Sequence, residues 1–167
     1  KEDQLGDERM SPTTLAVFPL AYQGKEERFA SLGFGLSEMM IVDLGQARGI
    51  RLVERVRIDV LLSEIHFGAS QAVDPKTAPR FGRILTAGKI VSGSYNLSPD
   101  QTLRIDIAFM DVVKGRNPEA TSQSDLLENL FKLEKDIVFD LIKKLGITLT
   151  RAEREKIQAV PTRNLQA

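Results

Sequence analysis

The segment that decides the fold runs from Lys89 to Val112 and reads KIVSGSYNLSPDQTLRIDIAFMDV. Its second half alternates between apolar residues on one side of a strand and intervening residues on the other. The apolar set is Leu103, Ile105, Ile107 and Phe109, and the intervening set is Arg104, Asp106, Ala108 and Met110. Between the halves, residues 98–101 include the Pro and Asp of a tight turn. The segment therefore predicts a β-hairpin with unequal faces.

The sequence before this hairpin predicts a parallel β-α-β unit. Residues 14–19 form an apolar run that suits a strand buried on both faces, and residues 50–54 suit a second strand. Between them, apolar residues recur at three- and four-residue spacing, which predicts an amphipathic helix. These residues are Phe29, Leu32, Leu36, Met39, Met40, Leu44 and Ala47, with Gly49 as the stop. Helices are also predicted over residues 58–65 and 77–88, the latter closed by Gly88.

After the hairpin, a weaker edge strand is predicted within residues 119–123. Asp125 with Glu128 forms a capping-box pattern for a long helix that Gly146 terminates. Thr150 with Glu153 repeats the capping pattern for a short last helix, which Pro161 stops.

This element order predicts an α/β layered domain. It has a central mixed sheet of about five strands flanked by helices, and a short extra C-terminal helix. Along the chain, the elements of the domain follow the order β-α-β-α-α-β-β-β-α. We expect residues 1–13 to be a flexible lead-in and residues 14–147 to form the domain. Residues 148–167 are expected to be the C-terminal helix and a connector to a further downstream region.

The composition is typical of a folded globular chain, with 42% hydrophobic and 28% charged residues. Lys plus Arg and Asp plus Glu each number 23, so the formal net charge is zero. No broad attraction to nucleic acid or an anionic membrane is therefore expected. The absence of cysteine excludes disulfides and thiol chemistry but fits either redox compartment. No apolar stretch reaches the roughly 18 residues of a membrane-spanning helix.

A search for catalytic, cofactor-binding and metal-binding residues yields none. Gly33 and Gly35 lie inside the helical pattern and not at a strand-to-helix turn, so they predict close packing rather than a dinucleotide site. His66 is the single histidine, too few for a multi-histidine metal site. Asp106 and Asp111 are five residues apart on a strand, which puts them on opposite faces and argues against a catalytic carboxylate pair.

Four arginines cluster near the second predicted strand. They are Arg48, Arg51, Arg55 and Arg57. A nucleic-acid module would surround such residues with more Lys, Arg and exposed aromatics, whereas Glu54 and Asp59 lie among them. We therefore expect ion pairs or an oligomer contact here.

Five segments, taken in order, resemble one family. They are residues 15–19 (LAVFP), 32–38 (LGFGLSE), 53–64 (VER leading to LLSE), 82–95 (GRILTAGKIVSGSY) and 105–115 (IDIAFMDVVKG). The family is the curli-secretion CsgG / TolB amino-terminal-like domain. The tail from Leu149 to Ala167 is similar to the connector that joins such domains to tetratricopeptide repeats.

The resemblance implies a periplasmic or outer-membrane-associated module of the cell envelope. It implies assembly with copies of itself or with a secretion or envelope complex, and it brings no catalytic residues and no cofactor. A non-catalytic protein-binding module is therefore the leading hypothesis. The alternative is a sensor domain that holds a small ligand at the carboxyl ends of the parallel strands, near residues 21–28. A hydrolase or transferase stays open as a third class, because fold alone does not exclude chemistry.

Overall fold

The computed structural model describes residues 11–65, 76–115 and 117–159. Six strands form one mixed sheet. They are β1 (Ser11–Val17), β2 (Ala21–Tyr22), β3 (Arg51–Leu52), β4 (Ala87–Leu97), β5 (Thr102–Asp111) and β6 (Glu119–Leu126). The sheet order is β3-β1-β4-β5-β6, and the short β2 pairs with the distal part of β4.

The predicted hairpin and the predicted parallel unit are both present in the sheet. β1 runs parallel to β3 and to β4, so the first crossover is parallel as expected. β4 and β5 pair antiparallel from Lys89 opposite Asp111 to Leu97 opposite Leu103. β6 then pairs antiparallel with β5 and forms one edge. The mixed sheet predicted from the sequence is confirmed, with β2 as an additional short strand.

In the described part of the chain, five α-helices flank the sheet. They are α1 (Leu32–Leu44), α2 (Arg55–Ile65), α3 (Ala78–Leu85), α4 (Leu130–Lys144) and α5 (Arg151–Gln158). Short 3-10 turns, Glu27–Phe29 and Leu127–Asn129, precede α1 and α4. Within the described residues, no helix combines the length and apolar character needed to cross a bilayer.

The core is divided between the two faces of the sheet, because residues of a strand point alternately to opposite sides. On one face, Leu15, Ile105 and Ile107 pack with residues of α1 and α4. On the other face, Ala16 and Ile90 pack with residues of α2 and α3. The alternation predicted for β5 is confirmed, since its apolar set lies in the first cluster while Met110 lies in the second.

Helix α5 contacts the rest of the domain both in its first turn and near its C-terminal end. The predicted capping box is present: Thr150 Oγ1 accepts from Glu153 N, and Glu153 Oε1 accepts from Thr150 N, both at 3.1 Å. Glu153 Oε2 also accepts from Arg48 N at 2.8 Å, and Ile157 lies in the first core cluster. The helix ends at Gln158, and Pro161 lies outside the described residues.

Several predicted boundaries differ from the structure. α1 begins three residues after Phe29 and ends at Leu44, before Gly49. α3 ends at Leu85, where Thr86 rather than Gly88 takes the positive φ of 54°. At the start of α4 the Asp125–Glu128 capping box does not form, because Asp125 Oδ1 accepts from Leu126 N and Asn129 Nδ2 instead.

Candidate protein-binding surface

The start of α1 is organised around the buried hydroxyl of Tyr95. This oxygen accepts from Gly33 N at 2.9 Å and lies 2.5 Å from Phe29 O and 2.9 Å from Ala30 O. A Cβ at position 33 would lie 2.6 Å from Tyr95 Cε1 and 2.7 Å from Leu20 O. The close packing predicted for Gly33 is therefore confirmed, whereas the same prediction for Gly35 is wrong, because a Cβ there would meet no atom within 4 Å. Burial raises the pKa of Tyr95.

In the loop proposed from the sequence as a ligand site, residues 21–28, Tyr22 contacts other parts of the chain. The Tyr22 ring lies 5.2 Å from the Tyr95 ring, centroid to centroid. Its hydroxyl accepts from Glu26 N at 3.2 Å. Within residues 21–28, both the ring and the hydroxyl of Tyr22 are thus engaged by contacts of the chain itself.

The acidic candidates of the hairpin are separated and engaged with other groups. Asp106 binds Arg104 and accepts from Ser122 Oγ at 2.7 Å, and these contacts lower its pKa. Asp111 lies 3.6 Å from Lys89 Nζ. Among the described residues, no group of three or more His, Asp or Glu side chains is arranged to hold a metal ion. His66 lies outside the described residues.

Within the arginine cluster predicted from the sequence, the ion pairs expected there centre on Arg55. Arg55 binds the Glu38 carboxylate, lies 3.6 Å from Asp59 Oδ2, and stacks over the Phe34 ring at 4.1 Å. Arg57 reaches Ile84 O at 3.4 Å. These contacts join α1 to α2 and α2 to α3 on the outside of the protein.

Along this outside lie five large apolar side chains that are about half exposed or more. We call them the outer strip: Phe34 (61%), Val42 (59%), Val56 (61%), Val60 (50%) and Ile84 (46%). A groove of about 250 Å³ runs between the α2 and α3 members, with Leu61 and Leu85 at its base. An exposed apolar patch of this kind, formed by Val56, Val60 and Ile84 around the groove, commonly marks a protein interaction site. Sequence reasoning missed the strip, although valines 56 and 60 at i, i+4 spacing were a readable signal.

Behind the outer strip, α1 is anchored to α4 by a buried charged cluster. Lys135 Nζ lies 2.5 Å from Asp43 Oδ2 and 3.6 Å from Glu134 Oε2. All three side chains are buried, and among the described residues the Glu134 oxygens find no hydrogen-bond partner. Burial first, and the nearby Asp43 carboxylate second, raise the pKa of Glu134 to about 8. The cluster lies inside the protein and joins α1 to α4.

The other prominent surfaces are less suited to binding. Some backbone groups of the edge strand β6 are already hydrogen-bonded to side chains. Lys144 Nζ donates to Ala120 O at 3.1 Å, and Leu126 N donates to Asp125 Oδ1. A groove of about 790 Å³ lies between α4 and α5, but charged side chains such as Asp140 and Lys143 line it. Ligand pockets are usually enclosed and mainly apolar.

The comparisons with known proteins agree with this architecture. Residues 15–96 match the family model described as "Curli production assembly/transport component CsgG". This stretch is a CsgG-like region. It runs from β1 to the end of β4 and includes Gly33, Tyr95 and every member of the outer strip. The resemblance predicted from the sequence is thereby confirmed, while the similarity of the tail to a repeat connector stays a prediction.

Solved structures share the fold of the CsgG-like region and of the elements that follow it. Lipoprotein GNA1162 from Neisseria meningitidis is 13% identical, with a TM-score of 0.54 over 83% of this chain and 100% of that chain. Hypothetical protein CT253 from Chlamydia trachomatis is 13% identical, with a TM-score of 0.53 over 80% and 98%. The LpoB C-terminal domain from Salmonella enterica is 12% identical, with a TM-score of 0.50 over 70% and 84%. At these identities the likeness concerns the fold alone. A comparison with curated protein sequences found no match.

Proposed function

We propose that this chain is a non-catalytic protein-binding and assembly module of a bacterial envelope or secretion-associated complex. The observation that carries the proposal is the outer strip, where five large apolar side chains of α1, α2 and α3 face solvent. The charged groups beside Phe34 are already paired with one another through Arg55, which leaves a surface suited to an apolar protein partner.

The non-catalytic part of the proposal is supported by how the acidic side chains are used. Asp106 and Asp111 are held by different basic residues, and Asp43 is sealed inside the protein. A general acid or base must reach the substrate proton, directly or through one water. Asp111 lines a small cleft of about 110 Å³ together with Lys89, which holds its carboxylate.

The extracytoplasmic location is proposed from the family match and from the named relatives. The matching family is described by curli production and transport, and one structural neighbour is named as a lipoprotein. Fractionation of the source cells with an antibody to this chain tests the location. Recovery with periplasmic or outer-membrane markers is expected, and recovery with cytosolic markers would contradict it.

We extend the proposal to the tail, with residues 14–147 as the domain and residues 148–167 as a connector to a downstream region. The support is that α5 is held against the domain by Arg48 and Ile157, so a following segment would leave from a fixed point. Limited proteolysis of the full protein is expected to cut after α5 and leave the domain with α5 intact.

Photo-crosslinking in cells tests the binding function. A photoreactive amino acid at position 60, in the outer strip, is expected to give discrete crosslinked products. The matched position is 132, because Lys132 is exposed on α4 away from the strip and should give none. Equal patterns from both positions, or no product from position 60, would contradict a binding role for the strip.

A further inference from the structure

A cleft of about 390 Å³ opens beside the edge strand β3 and is lined by charged and hydroxyl side chains. Its polar lining residues are Thr14 of β1, Arg51 of β3, Glu54 and Arg57 around the start of α2, and Thr86 directly after α3. We call it the arginine cleft. It contains no member of the outer strip, so it is a second surface with a chemistry of its own.

Among the described residues, two arginines of the cluster predicted from the sequence line this cleft without a carboxylate partner. Arg51 is exposed, and its side chain makes no hydrogen bond or ion pair within that part of the chain. Arg57 makes one contact, from Nη2 to Ile84 O at 3.4 Å. Arg55 is the contrast, since two carboxylates hold it and it does not line the cleft. Because a guanidinium carries five N–H donors, most donors of Arg51 and Arg57 stay open.

The side chain of Thr14 is a buried polar group at the wall of the cleft. Thr14 is only 7% exposed, and it lies opposite Arg51 in the pairing of β1 with β3, so both side chains project from the same face of the sheet. Its hydroxyl makes no hydrogen bond to any of the described residues. Buried hydroxyls are normally paired, because burial without a partner costs free energy. An unpaired hydroxyl that borders a cleft therefore fits a site that a ligand completes.

Thr86, on the other side of the cleft, holds a backbone conformation that β-branched residues rarely adopt. Its φ of 54° and ψ of 34° lie in the left-handed region, where glycine or asparagine usually ends a helix. Its hydroxyl bonds only to the neighbouring carbonyl, Leu85 O, at 2.6 Å. Strained positions of this kind cluster at ligand sites. The cleft thus has a strained threonine on one wall and an unpaired buried threonine on another.

We propose that the arginine cleft binds a carboxylate group, held by Arg51 and Arg57 with the Thr14 hydroxyl as a further donor. Guanidinium forks bind the two oxygens of a carboxylate through paired N–H donors. Glu54 also lines the cleft, and the C-terminal end of α3 adds partial negative charge there. Two positive side chains against one negative side chain favour a singly charged carboxylate over a doubly charged phosphate. The carboxylate belongs to a free small acid or to an acidic segment of a partner protein.

The test is an NMR titration of the ¹⁵N-labelled chain with sodium acetate at neutral pH, with sodium chloride keeping the ionic strength constant. Acetate should cause saturable shifts of the amide signals of Arg51, Glu54 and Thr86, with a Kd on the order of 1–10 mM for so small a ligand. Arg51→Gln and Arg57→Gln should each weaken binding about tenfold, because each removes a charge-assisted contact. Arg48→Gln is the matched control, since Arg48 belongs to the same sequence cluster but does not line the cleft.

Thr14→Val separates binding from structure. Replacing an unpaired buried hydroxyl with a methyl group should leave the melting temperature unchanged or raise it, while acetate binding weakens about threefold. Shifts that do not saturate, or that Arg51→Gln leaves intact, would overturn the proposal. Inorganic phosphate that binds more tightly than acetate at equal ionic strength would overturn the preference for a carboxylate.

Two further probes identify the source of the carboxylate. Succinate represents a free small acid, and an acetylated and amidated peptide of four glutamates represents an acidic protein segment. Tighter binding of succinate assigns the site to a small acid, and tighter binding of the peptide assigns it to a partner protein. The cleft contains no member of the outer strip, so its failure leaves the protein-binding proposal to the crosslinking test at position 60.

Discussion

The hydroxyl of Tyr95 takes the place of a helical hydrogen bond between Gly33 and Phe29. In a regular helix Gly33 N would donate to Phe29 O, four residues earlier. Here Gly33 N donates to Tyr95 Oη at 2.9 Å, and the same oxygen lies 2.5 Å from Phe29 O. The inserted hydroxyl explains why α1 begins at Leu32 and not at Phe29, and it ties the helix to β4, 62 residues later.

Gly33→Ala and Gly35→Ala should change stability in opposite directions. The added methyl at position 33 would contact Leu20 O, which is backbone and cannot move aside cheaply, so we expect a loss of about 1–3 kcal/mol. At position 35 the space is open, and alanine should add about 0.5–1 kcal/mol. Urea denaturation of both variants at a concentration where the chain is monomeric measures the difference. Equal effects would contradict the packing role of Gly33.

Tyr95→Phe should destabilise the fold through the buried amide of Gly33. Removal of the hydroxyl leaves that N–H without its acceptor inside the protein, which typically costs about 1–3 kcal/mol. Tyr22→Phe is the matched control, because its hydroxyl accepts from Glu26 N in an exposed position and should matter much less. Thermal and urea unfolding followed by circular dichroism compare the two. A smaller loss for Tyr95→Phe than for Tyr22→Phe would contradict this account.

The buried Glu134 should make the protein less stable as the pH rises from about 5 to 8. Its pKa is about 8 in the folded state against an ordinary value of 4.5, so the folded chain keeps a proton that the unfolded chain has released. Proton binding then favours folding, and this stabilisation is lost as the pH passes through the folded-state pKa. Urea unfolding at several pH values should show the decline.

Glu134→Gln isolates this contribution, because the amide has a similar shape and does not titrate. The variant should show a flatter dependence between pH 5 and 8 and should be more stable than the parent at pH 8. The groups that face position 134 are Asp43 from α1 and Lys135 from α4, and both remain in the variant. An unchanged slope would show that Glu134 is not the titrating group.

Thr150→Ala should loosen α5 from the domain. The substitution removes the hydroxyl that accepts from Glu153 N and half of the capping box, a change worth about 1 kcal/mol. Thr148→Ala is the control, since Thr148 is an exposed threonine just before the helix. Amide hydrogen exchange over residues 151–158 should rise in the first variant only. Equal exchange in both variants would show that the cap does not hold this helix.

The sequence by itself determined the elements whose signals are local. The alternation of residues 103–110 predicts both the strand and its buried side, and Thr150 with Glu153 correctly predicts a helix start, whereas the same pattern at Asp125 and Glu128 forms no capping box. Gly146 has a φ of +74° just beyond α4, as its position after a long apolar pattern predicts. The family resemblance followed from the order of such segments along the chain.

Only the tertiary structure decided which atoms meet across the chain. Gly33 and Gly35 are two residues apart and look alike in sequence, yet one lies against Tyr95 and the other has open space. Lys135 finds Asp43 at a separation of 92 residues, and Arg55 of α2 stacks over Phe34 of α1. Periodicity specifies the conformation of a segment from its near neighbours, whereas contact and exposure depend on how distant segments pack.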